Sequence, residues 1–357
     1  MNLTFLLDAL GDSETVALAG LITGLIFGVA AQRSRFCLRA ATVSFARGAL
    51  DSRVAVWLLC FSTALVWTQG FSLLGLAELS QSRIVAQPGS ISGALIGGLM
   101  FGAGMILARG CSGRLLVLAA TGNLRSLLAG LVFAVVAQMS MDGLLAPARR
   151  ALTGLWTTGP ANPDIRTMLG YDAQAGLLFG LLAAAVALLI AWRAGVDRRT
   201  LWFGSGVGFS VGVGWLLTST LATQSFEPVG VESITFSGPS ADMLMYTLVP
   251  TATLDFDIGL VPGVFLGAAA AALWAREWRL EGFEGAAGTR RYLVGAALMG
   301  FGAMLAGGCA IGAGVTGAST FALTPWLALC GFWLGAVVTD FALDRPGAAA
   351  PGAVAAE

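Results

Sequence analysis

The stretch around which this chain is organised runs from Gly102 to Gly113, with the sequence G-A-G-M-I-L-A-R-G-C-S-G. It recurs 198 residues later, from Gly300 to Ile311, as G-F-G-A-M-L-A-G-G-C-A-I. Six of the twelve positions are identical, and in both copies a glycine-rich apolar helix ends on Gly-Cys. A second echo, Gly20-x3-Gly24-x3-Gly28 and Gly204-x3-Gly208-x3-Gly212, has an offset of 184 residues. The two echoes together predict an internal duplication.

The composition is that of a membrane protein. The chain has 357 residues, of which 57% are hydrophobic and 11% are charged, whereas soluble domains carry about 25% charged residues. Spanning the apolar core of a bilayer takes roughly 17–25 helical residues, and nine stretches meet this requirement. We therefore predict an all-α polytopic membrane protein. The predicted spans are 15–32, 53–77, 91–109, 124–145, 173–193, 200–218, 258–275, 290–308 and 324–343.

Two absent residue types exclude several kinds of chemistry. The chain has no His, which excludes Ser-His-Asp triads and HExxH zinc sites, and no Lys, which excludes a Walker A loop and a Schiff-base lysine. The five cysteines are widely spaced and form no CxxC motif. We therefore predict neither a metal site nor a cofactor. The acidic N-terminus lacks the basic region of a signal peptide, and we interpret it as a short lead-in to the first span.

Three segments between the spans, 33–50, 110–122 and 309–321, are rich in small residues and too apolar for ordinary loops, and 219–240 is a more polar counterpart. Irregular backbone at membrane depth is tolerated only when it is buried in protein or lines a cavity, so we interpret these segments as re-entrant hairpins. One connecting span between two halves of four spans inverts the second half. The expected architecture is a 4+1+4 inverted repeat whose hairpins meet near the midplane. The first repeat is 1–145, the connecting segment with span 5 is 146–198, the inverted second repeat is 199–345, and 346–357 is a disordered tail.

Arginine placement predicts the orientation. If the spans alternate in direction, sixteen of the twenty arginines fall on one face, and only Arg83, Arg149, Arg150 and Arg166 fall on the other. Cytoplasmic loops carry the excess of positive charge. The N-terminus is therefore expected outside and the C-terminus in the cytoplasm.

Three cysteines are the candidate functional residues. Cys37 is flanked by arginines in R-S-R-F-C-L-R, whereas Cys111 and Cys309 each follow a glycine, Gly110 and Gly308, at the end of a repeated helix. Each has a simpler interpretation: Cys37 as incidental in an arginine-rich loop, and the other two as small residues that let helices approach. Cys60 and Cys330 lie within apolar spans, where a free cysteine behaves as a small hydrophobe.

In the predicted topology the hairpins of Cys37 and Cys111 enter from the cytoplasmic face and that of Cys309 enters from the outside. If all three hairpins reach the midplane, the three thiols line one short path. Apolar surroundings disfavour the thiolate, so we expect neutral S–H groups, which are weak donors with polarizable sulfur. Such groups suit a soft, sulfur-bearing anion that must be held and then released. Half-helix N-termini, with Ser112 among their residues, would offset its charge. Arg109 and Arg114, on either side of Cys111, would help, although topology alone also accounts for them.

These motifs resemble the YeeE/YedE sulfur-transport family. The resemblance rests on R-S-R-F-C at 33–37, on G-x-G-x5-G-C-S-G at 102–113, and on G-x-G-x5-G-C at 300–309 with the A-I-G-A-G that follows, and it covers the whole chain. It implies a bacterial inner-membrane importer of thiosulfate, with Cys37, Cys111 and Cys309 along a central path. It further implies a small cytoplasmic sulfur-carrier protein of the TusA/YeeD type as a partner. The third hairpin has no cysteine that matches Cys37, so the symmetry is broken there.

Three alternatives remain open on the sequence. In the first alternative the chain is a transporter, which imports thiosulfate or carries another sulfur or selenium compound. A membrane thiol enzyme would instead accept sulfane sulfur as a persulfide, which requires an activated thiolate. A non-transporting scaffold would hold a sulfur carrier at the arginine-rich face and would tolerate the loss of Cys111 or Cys309.

Overall fold

The computed structural model describes residues 3–225, 227–249, 253–283 and 285–343, and the predicted tail at 346–357 lies outside them. In the described part of the chain all regular structure is helical, and strand pairing is limited to isolated bridges. The first half contains α1 (Thr4–Leu10), α2 (Asp12–Ser34), α3 (Leu38–Ala46), α4 (Ser52–Leu73), α5 (Arg83–Ala86), α6 (Ile91–Leu107), α7 (Ser112–Ala120) and α8 (Leu124–Met141).

A connecting region with its own helices follows. It contains α9 (Ala146–Thr153), α10 (Ile165–Met168) and α11 (Ala173–Arg193). The second half contains α12 (Arg198–Gln224), α13 (Ser237–Leu248), α14 (Phe256–Trp274), α15 (Gly285–Ala306) and α16 (Leu323–Leu343). A π-helical segment, Gly312–Gly317, and a 3-10 turn, Ala318–Thr320, separate α15 from α16.

Each predicted span corresponds to one long helix. Eight helical stretches of the described residues are long and apolar enough to cross a membrane, and α15, which carries Arg290 and Arg291 near its start, corresponds to the remaining prediction. The prediction of an all-α polytopic membrane protein is confirmed. One boundary differs: residues 219–224, expected to begin the third hairpin, continue α12 to Gln224. The run from Trp215 to Gln224 contains neither Gly nor Pro, so nothing local stops the helix.

Glycine explains the close packing of α2 against α14. A Cβ at Gly24 would lie 2.4 Å from the carbonyl oxygen of Leu260, which forces the position to remain without a side chain. The same holds for Gly20 and Gly28 on α2 and, reciprocally, for Gly259, Gly263 and Gly267 on α14. The two backbones therefore approach as closely as glycine allows.

Two helix pairings between the halves each have a counterpart in which the first and second halves exchange roles. Helix α2 packs on α14 as α12 packs on α4, and α6 packs on α16 as α15 packs on α8. The glycines of α12 serve the same purpose as those of α2, since a Cβ at Gly208 would lie 2.3 Å from the carbonyl oxygen of Cys60. Contacts of α2 with α12 and of α6 with α15 join the halves directly.

Polar contacts join the segments at each end of the bundle. At the arginine-rich end, Arg47 Nη2 lies 3.0 Å from Asp340 Oδ1, which joins α3 to the last helix. At the opposite end, Arg166 bonds both Asp164 and the side-chain oxygen of Gln69. The Arg47–Asp340 pair and the Arg166–Gln69 hydrogen bond each join residues that are far apart in the chain.

Candidate functional site

The three candidate cysteines share one local backbone geometry. Two residues before each cysteine the chain adopts a left-handed conformation, with φ of 52° at Arg35, 55° at Arg109 and 76° at Gly307. This conformation ends a helix and turns the chain sharply, and it is costly for residues other than glycine. Each cysteine is therefore placed at the tip of a sharp reversal between a long helix and a short one.

A short helical segment begins directly after Cys37 and Cys111, and three residues after Cys309. Cys37 is the N-cap of α3 and Cys111 is the N-cap of α7, while Cys309 precedes the π-helical segment. The amide of Gly312 donates to Cys309 Sγ at 3.4 Å. The amide of Ala40 faces the sulfur atom of Cys37, and the amide of Arg114 faces that of Cys111, each from three residues further along the chain. Neither contact is a complete capping hydrogen bond. All three sulfur atoms thus face the positive end of a helical segment.

The fold brings the three thiols together from distant parts of the chain. The side chains of Cys37 and Cys111 are within hydrogen-bonding reach of each other, and Cys309 lies within electrostatic range of Cys111. Cys111 and Cys309 are 1% and 0% exposed, whereas Cys37 is half-buried. In the described part of the chain no group of three or more Cys, Asp or Glu side chains is arranged to hold a metal ion.

The other two cysteines lie elsewhere. Cys60 is buried in α4, where the backbone of Gly208 packs against it. Cys330 is exposed on the outer surface of α16. Both positions agree with their interpretation as ordinary apolar residues of membrane helices.

A narrow crevice surrounds Cys111. It is lined by apolar side chains and one arginine, and it is too narrow to contain a water molecule. The lining residues are Phe27, Ala31, Phe36, Cys111, Gly113, Arg114, Val117 and Ile311. Phe27 packs against Phe236 with ring centroids 5.2 Å apart. Aromatic rings therefore close the crevice beside the Cys111 thiol.

Phe236 is the residue that sequence reasoning missed. It is the N-cap of α13 and fills the position that Cys37 has before α3, 199 residues earlier. Its ring lies 2.9 Å from where a Cβ of Gly113 would be, so it packs directly against the start of α7. The 198-residue offset of the main repeat, applied to Cys37, would have pointed to Thr235 and hence to this site.

The remaining predicted site residues differ in their surroundings. A Cβ at Gly308 would lie 2.6 Å from the amide nitrogen of Ala313, whereas one at Gly110 would be 3.4 Å from the flexible end of Leu115. Arg109 lies over the ring of Tyr292, 5.6 Å from its centroid, and it is Arg114 that lines the crevice.

Ser112 begins α7 and is buried, and its hydroxyl has no hydrogen-bond partner. It lines a groove of about 240 Å³ between α7, α8 and α13. This groove is separate from the crevice around Cys111.

A bundle of long apolar helices, with cysteines at the tips of buried half-length helices, defines a polytopic membrane protein with an internal thiol site. The chain belongs to the Sulphur transport family, which it matches over residues 33–338. It is 28% identical over 336 residues to a protein named thiosulfate transporter TsuA from Spirochaeta thermophila, with 88% of this chain and 96% of the relative covered. It is 26% identical over 341 residues to the Escherichia coli protein of the same name, with 90% and 93% covered.

Proposed function

We propose that this protein imports thiosulfate, or a closely related sulfur anion, by passing it between the neutral thiols of Cys37, Cys111 and Cys309. The observation that carries this proposal is the meeting of three thiols from three separate helix reversals, of which Cys111 lines a narrow crevice. The names of the two relatives support the substrate class.

The chemistry of the site favours transient binding of an anion. A thiol donates a weak hydrogen bond and has a polarizable sulfur atom, so it contacts the terminal sulfur of thiosulfate without holding it tightly. The amides at the start of α3 and α7 add positive potential, typically 0.3–1 kcal/mol for each helix terminus. Gly110, Ser112 and Gly308 shape the backbone around the cysteines, and Arg109 stands at the reversal before Cys111.

The architecture proposed for this function is a 4+1+4 inverted repeat whose halves span 1–145 and 199–345. The exchanged packing pairs, α2 on α14 with α12 on α4 and α6 on α16 with α15 on α8, support this organisation. The segments 33–50, 110–122, 219–240 and 309–321 then act as the re-entrant parts. Discontinuous helices that meet at a repeat interface are a general way to build a substrate site in membrane transporters.

The proposed location is the bacterial inner membrane, with the N-terminus outside and the C-terminus in the cytoplasm. The excess of arginine at one end of the bundle supports this orientation. The same cytoplasmic face is where we propose that a small sulfur-carrier protein of the TusA/YeeD type receives the anion.

Growth on thiosulfate tests the proposal. A host without its own thiosulfate uptake would express the wild-type chain or one of the variants Cys37→Ala, Cys111→Ala and Cys309→Ala, with thiosulfate as the sole sulfur source. Cys330→Ala is the matched control, because that thiol is exposed on the bundle surface. We expect growth with the wild type and the control, and no growth with the three variants.

The other outcomes separate the alternatives. Growth with all three variants would show that thiosulfate crosses by a route that does not involve these thiols. No growth with a correctly inserted wild-type chain would contradict thiosulfate as the substrate, provided that a sulfur-carrier protein is co-expressed. Uptake of labelled thiosulfate into vesicles of known orientation measures the direction.

A further inference from the structure

Arg114 is the charged residue that lines the thiol crevice. It stands three residues after Cys111, in the first turn of α7, and its positive charge acts on the Cys37 thiol. Its Nη1 atom is buried and has no hydrogen-bond partner. A buried guanidinium nitrogen without a partner is unfavourable, and such a group in a native protein calls for an explanation such as a bound water, ion or substrate.

Neighbouring arginines differ from Arg114 in having a named partner for the guanidinium, although the Nε atoms of Arg33 and Arg125 are also buried without a hydrogen bond. Arg33 and Arg35 lie near Glu277, Arg47 bonds Asp340, and Arg125 lies 4.5 Å from the centroid of Tyr292 and bonds its hydroxyl. No acidic side chain of the described residues forms a salt bridge with Arg114. The excess of arginine on the cytoplasmic face therefore accounts for the others but not for the position of Arg114 beside the thiols.

We propose that Arg114 binds the oxygen-bearing end of the transported anion while the anion's terminal sulfur contacts the thiols. This inference rests on the proposed function and specifies how its site recognises the substrate. A guanidinium presents a planar fork of N–H donors that matches oxyanions. The thiols and Arg114 therefore recognise opposite ends of the anion.

Recognition at two ends determines selectivity. An inorganic oxyanion such as sulfate offers oxygen atoms to Arg114 but no soft sulfur to the thiols. Sulfide offers sulfur but no oxyanion group. Thiosulfate carries both, so it is the ligand class that satisfies the whole site, and the separation between Arg114 and the thiols orients it along the path.

Uptake kinetics of labelled thiosulfate test this role. We expect Arg114→Gln to raise the concentration for half-maximal uptake by roughly 10- to 100-fold, the range for loss of a hydrogen bond between charged groups. Arg114→Lys keeps the charge and loses the fork, and its value should be intermediate. The matched control is Arg125→Gln, whose side chain bonds Tyr292 outside the crevice, and its half-maximal concentration should stay at the wild-type value.

Thermal unfolding of the purified protein distinguishes binding from a structural role. In the absence of thiosulfate, Arg114→Gln should be at least as stable as the wild type, because the buried Nη1 atom that lacks a hydrogen-bond partner is removed. Added thiosulfate should raise the unfolding temperature of the wild type but not of this variant. A structural arginine would give the opposite result, with a loss of stability and a retained response to thiosulfate.

Wild-type half-maximal concentrations in both Arg114 variants would overturn the inference. If the three cysteine variants still abolish uptake in that case, the proposed function stands and only the role of Arg114 falls. If the cysteine variants are also active, the thiol site itself is contradicted.

Discussion

The residues at the helix reversals are not equivalent, although the two copies of the repeat are similar in sequence. Gly110 and Gly308 both precede a cysteine, but only Gly308 has backbone within 3 Å of the position that a Cβ would occupy. The reason is that the chain after Cys309 folds into a tight π-helical segment, whereas α7 leaves Cys111 as an ordinary helix.

This difference predicts unequal effects of the same substitution. Gly308→Ala should destabilise the protein by about 1–3 kcal/mol, since the new methyl group overpacks against the Ala313 amide. Gly110→Ala should stay within about 0.5 kcal/mol of wild type, because a flexible leucine end is its nearest neighbour. Thermal unfolding in detergent measures both. Equal effects would contradict the assigned backbone geometry at Cys309.

At the scale of elements, glycines let the backbones of neighbouring helices pack in direct contact. Gly24 meets the carbonyl oxygen of Leu260 and the amide nitrogen of Val264, at 2.4 and 2.8 Å from an added Cβ. Gly24→Ala should therefore force α2 away from α14 and destabilise the fold by about 1–3 kcal/mol.

Gly130 of α8 is the control for that substitution, because nothing lies within 4 Å of its added Cβ. Gly130→Ala should be neutral or stabilise the helix by up to about 1 kcal/mol. A loss of stability in Gly130→Ala equal to that in Gly24→Ala would contradict the packing of α2 on α14.

The segment between α12 and α14 carries carboxylates whose titration affects stability. Burial, with repulsion from Asp255, raises the pKa of Glu232 to about 7, and the same causes raise the pKa of Asp242 to about 6. Arg83 opposes both shifts, whereas Asp142 adds to the shift at Asp242.

These raised pKa values predict a stability that falls with pH. The folded state holds the proton of Glu232 more tightly than the unfolded state does. The contribution of Glu232 to the free energy of unfolding is therefore fully present below the ordinary pKa of about 4.3 and is lost as pH rises through about 7. Unfolding temperatures measured from pH 4 to pH 8 should decrease, and Glu232→Gln should flatten the decrease. An unchanged slope in that variant would show that Glu232 does not titrate in this range.

At the scale of the whole molecule, the long helices of the described residues form a bundle with two ends, which we expect to face opposite sides of the membrane. Arginine is concentrated at one end, which contains the loops around Arg47, Arg198 and Glu277, while the end with Arg166 has few positive charges. From the positive-inside rule we predict that the first end is cytoplasmic.

Labelling with a membrane-impermeant maleimide checks this orientation. Ser80→Cys should be labelled in intact cells, and Arg198→Cys only after permeabilisation, because both positions are exposed at opposite ends of the bundle. The chain with its five natural cysteines gives the background. The reverse pattern would mean that the protein is inserted in the opposite direction.

The sequence alone determined the helices of this protein and marked the three cysteines of its candidate site. Long apolar stretches form helices in a membrane because backbone polar groups must be satisfied within the segment, and this is a local property. The repeated Gly-Cys ending marked Cys111 and Cys309. This signal is also local, because a helix reversal is encoded within a few residues.

Only the tertiary structure decided what surrounds those thiols. Phe236 packs on Gly113 although the two residues are far apart in the chain, and no local pattern marks it. The sequence offered Arg109 and Arg114 equally, and only the packed structure shows that Arg114 lines the crevice with Cys111, Phe27 and Ile311 while its Nη1 atom is buried. Such contacts depend on how helices from both halves meet, and that is a property of the packed molecule.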